Sequence, residues 1–221
     1  ALDYVREKVE IELNAVTDNP LMFLDDEAVI SGGNFHGEPM AIPFDTLGIA
    51  ASELADASER RIERMVNAAL SNGLTPFLTV EGGVNSGYMI VQYAAASMVS
   101  ENKIYAHPAS VDSIPSSANQ EDIVSMGTTA GRKAGMIVKN TLDCLALELM
   151  TSCQAIDIRR RLNSHGQGIT PLHQAIYNKV REKVAFFEID REIWPDIQAV
   201  KEMIYSGELL ELIKEYIPDF Q

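Results

Sequence analysis

The sequence predicts a mainly α chain, a bundle of long helices joined by polar, glycine-rich loops. Three observations predict it. Apolar and small residues recur at spacings of three and four over stretches too long for strands. Clusters of Pro, Gly, Asn and Ser separate those stretches. No strand–helix alternation is present, which removes a parallel sheet.

The first helix follows from Leu2, Val5, Val9, Leu13 and Val16, one apolar stripe that ends near Thr17. Asp18-Asn19-Pro20 is a turn signal. Leu21 to Leu24 and Ala28 to Ile30 flank Asp25-Asp26-Glu27 as a short hairpin near 21–30. Ser31 to Pro39 then holds too much glycine to be regular.

A long helix comes next, with Pro43 in its first turn and Asn72-Gly73 at its exit. Leu47, Ala51, Leu54, Ser58, Ile62, Met65 and Ala69 step along it like a bundle seam. Glu53, Asp56, Glu59, Arg60, Glu63 and Arg64 take the other face, solvated or paired between helices. A loop from Leu74 to Gly87, a helix from about Tyr88 to Tyr105 and a loop from Ala109 to Gln120 follow.

Glu121 to about Arg161 contains no proline and reads as a helix, with a later stripe of Leu142, Leu145, Leu149, Cys153 and Ile156. Gly127, Gly131 and Gly135 share one face near its start, where each costs about 1 kcal/mol of helix propensity and a backbone is expected to approach. After Asn163 to Gly168 a helix runs from Pro171 to about Phe186. The tail from Arg191 holds one or two shorter helices broken at Ser206-Gly207. The organisation expected is a site-bearing bundle over 1–161 and a C-terminal helical segment over 162–221 packed on it.

The chain has 221 residues, 46% hydrophobic and 23% charged, enough apolar material to offset the entropy of ordering. Its 18 Lys+Arg against 32 Asp+Glu leave a formal net charge of -14, which repels phosphate backbones and anionic headgroups. Nucleic acid and membrane are therefore poor partners, and no run of about 18 apolar residues spans a bilayer. Cys144 and Cys153 lie nine residues apart in one helix, roughly 13.5 Å of rise and opposite faces, so they cannot pair there. Two buried free thiols fit the cytoplasm. Ala1 is not an initiator methionine and stands inside a helical pattern with no cap before it, so the chain is expected to be a piece of a longer polypeptide.

Long polar loops on a helical scaffold are where sites reside. Asn34, Asn85 and Asn119 serve equally well as loop-forming residues. Ser116 to Asp122 has two readings. Ser-x-x-Gln/Glu before an apolar run is a capping box, with Glu121 and Asp122 on the helix dipole. Alternatively, an amide and a carboxylate are presented together to bind a polar substrate or move a proton. His36, His107, His165 and His173 form no ligand pair, so no metal is expected. No GxSxG, P-loop or dinucleotide fingerprint is present.

Six runs in order resemble the aromatic amino acid lyase family over 1 to about 160. They are Glu12 to Leu21, Ser31 to Pro39, Ser58 to Arg61, Gly82 to Gly87, Ser100 to Lys103 and Asp112 to Gly127. The resemblance implies a long-helix bundle of the ammonia-lyase type. It implies non-hydrolytic loss of ammonia from an aromatic amino acid, and a homotetramer whose sites several subunits build. It also implies a methylidene-imidazolone (MIO) electrophile, made from an Ala-Ser-Gly that this chain lacks. An arginine and tyrosine segment expected just before Ala1 is missing too.

By resemblance, Asn19 lies beside the prosthetic group and the amino-acid end of the substrate. Phe35 lines the site, and Met89 contacts the side-chain pocket. Gln120 and Glu121 form a polar pair at an active-site helix start, Glu121 being the catalytic residue. Asn119-Gln120-Glu121-Asp122 favours the histidine branch, because a carboxylate suits a protonatable imidazole. L-Histidine going to urocanate is then the reaction expected of the complete protein, and this piece alone is expected to be inactive. Phenylalanine or tyrosine lyases or aminomutases of the same family, and a non-catalytic helical oligomerisation module, are the alternatives.

Overall fold

The computed structural model describes residues 1–162 and 168–220. Most of the expected Asn163–Gly168 loop, His165 included, lies outside the described residues. Among those described, seven helices accompany one small antiparallel sheet, so the mainly α expectation holds. They are α1 (Leu2–Leu13), α2 (Glu38–Val66), α3 (Met89–Tyr105), α4 (Gly127–Arg161), α5 (Pro171–Arg181), α6 (Trp194–Tyr205) and α7 (Glu208–Tyr216). β1 (Leu21–Phe23) and β2 (Ala28–Ile30) form the expected hairpin. No described helix is long and apolar enough to cross a membrane.

The chain divides into two compact units: Ala1–Glu53 with Glu101–Lys139, and Leu54–Ser100 with Asn140–Gln221. In the first, α1 stops at Leu13 and not near Thr17, because the Asn14 side chain turns back to donate to the Glu10 carbonyl at 2.8 Å. Only Val5 of its stripe is buried, and Leu2, Leu13 and Val16 stay exposed. α2 begins at Glu38, so Pro39 occupies the first turn and Pro43 sits inside the helix, a turn later than its sequence position suggested.

The three glycines near the start of α4 have different surroundings. A Cβ on Gly127 would lie 3.0 Å from the Gly37 carbonyl, which is the expected backbone approach. Gly131 faces the Phe44 ring, and Gly135 has nothing close. Asp45, buried on α2, accepts from the Ser110 amide at 2.7 Å and pairs with Lys133 at 3.4 Å. The Ser110 contact holds the start of the 109–120 loop, and Lys133 neutralises the carboxylate that makes it.

The second unit carries the larger core, built on Ile62, Val66, Tyr88, Val91, Leu147 and Met150. α2 ends at Val66, not at Asn72, because Asn67 caps it: Asn67 donates to Glu63 at 2.7 Å and accepts from the Ala69 amide at 3.1 Å. Glu59 is buried, not solvated, and takes the inter-helix option by accepting from Gln92 on α3 at 2.7 Å. Arg61 likewise reaches Glu148 on α4 with two hydrogen bonds.

The α4 stripe is shifted from expectation. Cys144, Leu147, Met150, Gln154 and Ile158 are fully buried, while Leu142, Leu145, Leu149 and Ile156 are only half-buried. A helix covered on several sides does not have one apolar seam. Cys144 and Cys153 are buried free thiols. Burial pushes them up, to about 12 and about 11. α5 ends at Arg181, short of Phe186, and α7 packs on α5 and α6 after the predicted break at Ser206-Gly207.

Candidate functional site

The geometry around Asn19 begins with the hairpin. β1 and β2 pair Leu21 with Ile30, so continuing the register sets Asn19 opposite Gly32. The Asn19 Oδ1 accepts from the Ser31 hydroxyl at 3.0 Å and from the Gly32 amide at 2.9 Å. Its amide oxygen is thereby fixed. The Nδ2 group is the remaining donor.

Phe35 stands in the loop that follows, 57% exposed. It lines a cavity of 430 Å³ together with Val9, Leu13, Asn34, Met40 and Phe44. The loop docks through its neighbours. His36 Nε2 lies 2.9 Å from the Ile123 carbonyl, and Ser125 Oγ donates to the His36 carbonyl at 2.6 Å. Asn19, Phe35 and the segment after Glu121 are thus linked through one loop of the first unit.

Gln120 and Glu121 do not start a helix. α4 begins six residues after Glu121, at Gly127. Ser117, Ala118 and Asn119 all have positive φ, 51°, 54° and 67°, and this left-handed turn folds Ser116 back onto Glu121. The two residues pair as an isolated antiparallel bridge, Ser116 amide to Glu121 carbonyl at 2.9 Å. The capping-box reading fails for the same reason: both serine hydroxyls, Ser116 and Ser117, donate to Glu121 Oε2 at 2.8 Å. These hydrogen bonds hold the Glu121 carboxyl below the usual carboxylate range, although it is exposed.

Met89 opens α3 in the second unit and is half-buried. The turn before it carries contacts that the sequence pattern did not signal. Asp190 accepts from the Ser86 and Gly87 amides at 2.7 and 2.9 Å, and its own amide donates to Asn85 Oδ1 at 3.0 Å. Asp190 lies over a hundred positions away from Ser86 and Gly87 in a tail without motifs, so no local spacing points to it. Ser31 was legible in principle, through the hairpin register. Ser116 and Ser117 serve Glu121 and not a helix cap.

Among the histidines, His107 Nδ1 meets the Pro108 carbonyl and His173 Nδ1 meets Thr170 Oγ1 at 2.6 Å. These are local backbone and capping contacts. Among the described residues no three His, Cys, Asp or Glu side chains gather as a metal site.

The aromatic amino acid lyase family model matches residues 1–182. Histidine ammonia-lyase 1 of Fusobacterium nucleatum is 54% identical over 98% of this chain, which spans 41% of that protein. The solved histidine ammonia-lyase of Trypanosoma cruzi superposes with a TM-score of 0.89 at 45% identity, over 98% of this chain and 42% of that one. The tyrosine aminomutase of Streptomyces globisporus superposes at 0.85 and 38% identity, over 97% of this chain and 40% of that one. The chain thus spans about two-fifths of the length of the relatives it matches. With a family model covering four-fifths of its residues, the chain belongs to the aromatic amino acid lyase family.

Proposed function

We propose that the complete polypeptide to which this chain contributes eliminates ammonia from L-histidine to give urocanate. One observation carries the reading: Glu121, held as a carboxylate by two serine hydroxyls, in a chain 54% identical to a relative named histidine ammonia-lyase. In this elimination the C–N bond breaks, a proton leaves the neighbouring carbon, and a C=C bond forms. No water is consumed.

Glu121 pairs with the imidazole and holds or moves a proton there. Ionisation suits that role, since a carboxylate favours the charged ring. Gln120 donates beside it. Asn19 binds the amino-acid end through Nδ2, the donor left once its oxygen is fixed. Phe35 packs against the substrate and Met89 against its side chain. The bundle over 1–161 carries these residues, and 162–221 is the C-terminal segment that supports it.

The family's MIO group supplies the electrophile that assists loss of the amine. Its Ala-Ser-Gly source is not in this chain, so the group comes from elsewhere in the complete protein. Asn19 is the residue here that would hold it, through the Nδ2 donor left once Oδ1 accepts from Ser31 and Gly32. Without that electrophile the chain alone is inactive. On this reading the complete protein works as a homotetramer in the cytoplasm, a compartment that the two free buried thiols of this chain suit.

Glu121→Gln in the complete protein tests the reading. Histidine turnover falls at least about a hundredfold, the lower bound for loss of an acid–base group. Unchanged histidine kinetics contradict it. A tyrosine or phenylalanine reading is supported by the 38% identical tyrosine aminomutase neighbour, and the same variant leaves such activity largely intact.

A further inference from the structure

We infer that Asp190 is a positioning residue for the side-chain pocket, acting through the turn that presents Met89. The inference rests on the proposed role of Met89 and adds to it a residue beyond the family match, which ends at residue 182.

The turn from Gly82 to Gly87 has little regular structure of its own, and α3 starts directly after it. Its amides at Ser86 and Gly87 precede the helix and have no partner within it. Asp190 accepts both, one on each carboxylate oxygen, at 2.7 and 2.9 Å. The exchange is reciprocal, since the Asp190 amide donates to Asn85 Oδ1. Ser86 in turn accepts from the Met89 amide at 3.3 Å. One hydrogen bond therefore separates Asp190 from Ser86, and one more separates Ser86 from Met89. A negative charge at this end of α3 also complements the helix dipole.

The segment carrying Asp190 is itself anchored. Phe187 is buried and stacks edge-on against buried Tyr88, ring centroids 5.6 Å apart. Gln154, fully buried on α4, donates to the carbonyls of both Leu78 and Phe187. Tyr88 donates its amide to the Phe77 carbonyl at 2.8 Å. The 77–89 stretch and the 187–190 stretch are thus tied together twice, through the core and through the Asp190 clasp. Removing the clasp leaves the core tie in place and frees only the turn. A loss in substrate binding with the fold retained is the expected consequence.

The test measures kinetic constants for histidine in the complete protein, comparing wild type, Asp190→Asn, Met89→Ala and the double variant. Asp190→Asn raises KM about fivefold or more with kcat within about twofold, as expected for lost binding without lost chemistry. In the Met89→Ala background the same change adds little, because both act on one contact. Amide exchange at Ser86 and Gly87 accelerates in Asp190→Asn. If Met89→Ala raises KM and Asp190→Asn does not, the inference fails and the reading of Met89 stands. If Met89→Ala leaves KM unchanged, the reading of Met89 fails and takes the route through it. An equal loss in both backgrounds, or unchanged amide exchange, also overturns the inference. Asp190→Glu, which keeps both acceptor oxygens, restores part of the KM; a full loss in that variant counts against the clasp.

Discussion

Gln154 and Phe187 are hydrogen-bonded in both directions: Gln154 Nε2 donates to the Phe187 carbonyl at 2.9 Å, and the Phe187 amide donates to Gln154 Oε1 at 3.1 Å. A fully buried side-chain amide thus does the work of a strand partner for an irregular segment. Nε2 also serves the Leu78 carbonyl at 3.2 Å.

Gln154→Leu keeps the volume and removes all three hydrogen bonds. Three backbone groups are then buried without these partners, at about 1–3 kcal/mol each before relaxation. A net loss of about 3 kcal/mol is expected, read as a shift in the urea midpoint. A midpoint within error of wild type shows that water or relaxation replaces the amide.

Gly87→Ala and Gly83→Ala separate strain from collision. Both glycines have positive φ, 56° and 90°. At Gly83 a Cβ meets nothing within 4 Å, so only the conformational cost of about 1–2 kcal/mol applies. At Gly87 it collides with Thr79 Cγ2 and lies 2.6 Å from the Phe77 carbonyl. Gly87→Ala is therefore the more destabilising by at least about 1 kcal/mol in parallel urea melts. Equal effects contradict the packing of this turn.

Glu121 titrates below its ordinary value of 4.5 because Ser116 and Ser117 donate to its ionised form. The sign follows from linkage. A depressed folded pKa adds stability above the unfolded value, and that contribution disappears as pH falls through the folded pKa. Replacing both serines by alanine moves the titration up toward 4.5. Carboxyl NMR of labelled glutamate measures it directly. An unmoved Glu121 titration removes the serines as its partners.

Burial raises Cys144 to about 12 and Cys153 to about 11. Both thiols stay protonated near pH 8 and inaccessible in the folded chain, so alkylation is slow until urea unfolds it. Labelling followed by mass spectrometry checks this. Fast modification of either cysteine under native conditions contradicts its place in the core.

Much of the fold was legible because helix periodicity and turn residues act locally. The hairpin, α3 and the break at Ser206-Gly207 stand where the sequence put them. Boundaries decided by side-chain caps were not legible in the same way. Asn14 and Asn67 end their helices early through hydrogen bonds to the preceding turn, which apolar spacing does not register. The start of α4 was misread because Ser-x-x-Gln/Glu suits two structures. Three left-handed residues in a row selected the turn over the cap. Charge alone left Glu59 either solvated or paired between helices, and Gln92 of another helix selects the pairing and makes its burial tolerable. Asp190 was invisible for a related reason: it acts through backbone amides, which leave no trace in side-chain pattern.

Turnover by the complete protein, offered histidine, phenylalanine and tyrosine together with products identified by mass spectrometry, tests the central claim most directly. Urocanate as the single product is the predicted result, with Glu121 as the residue whose charge selects it. Cinnamate or coumarate in its place contradicts the assignment of histidine, and no product at all contradicts the assignment of an ammonia-lyase reaction.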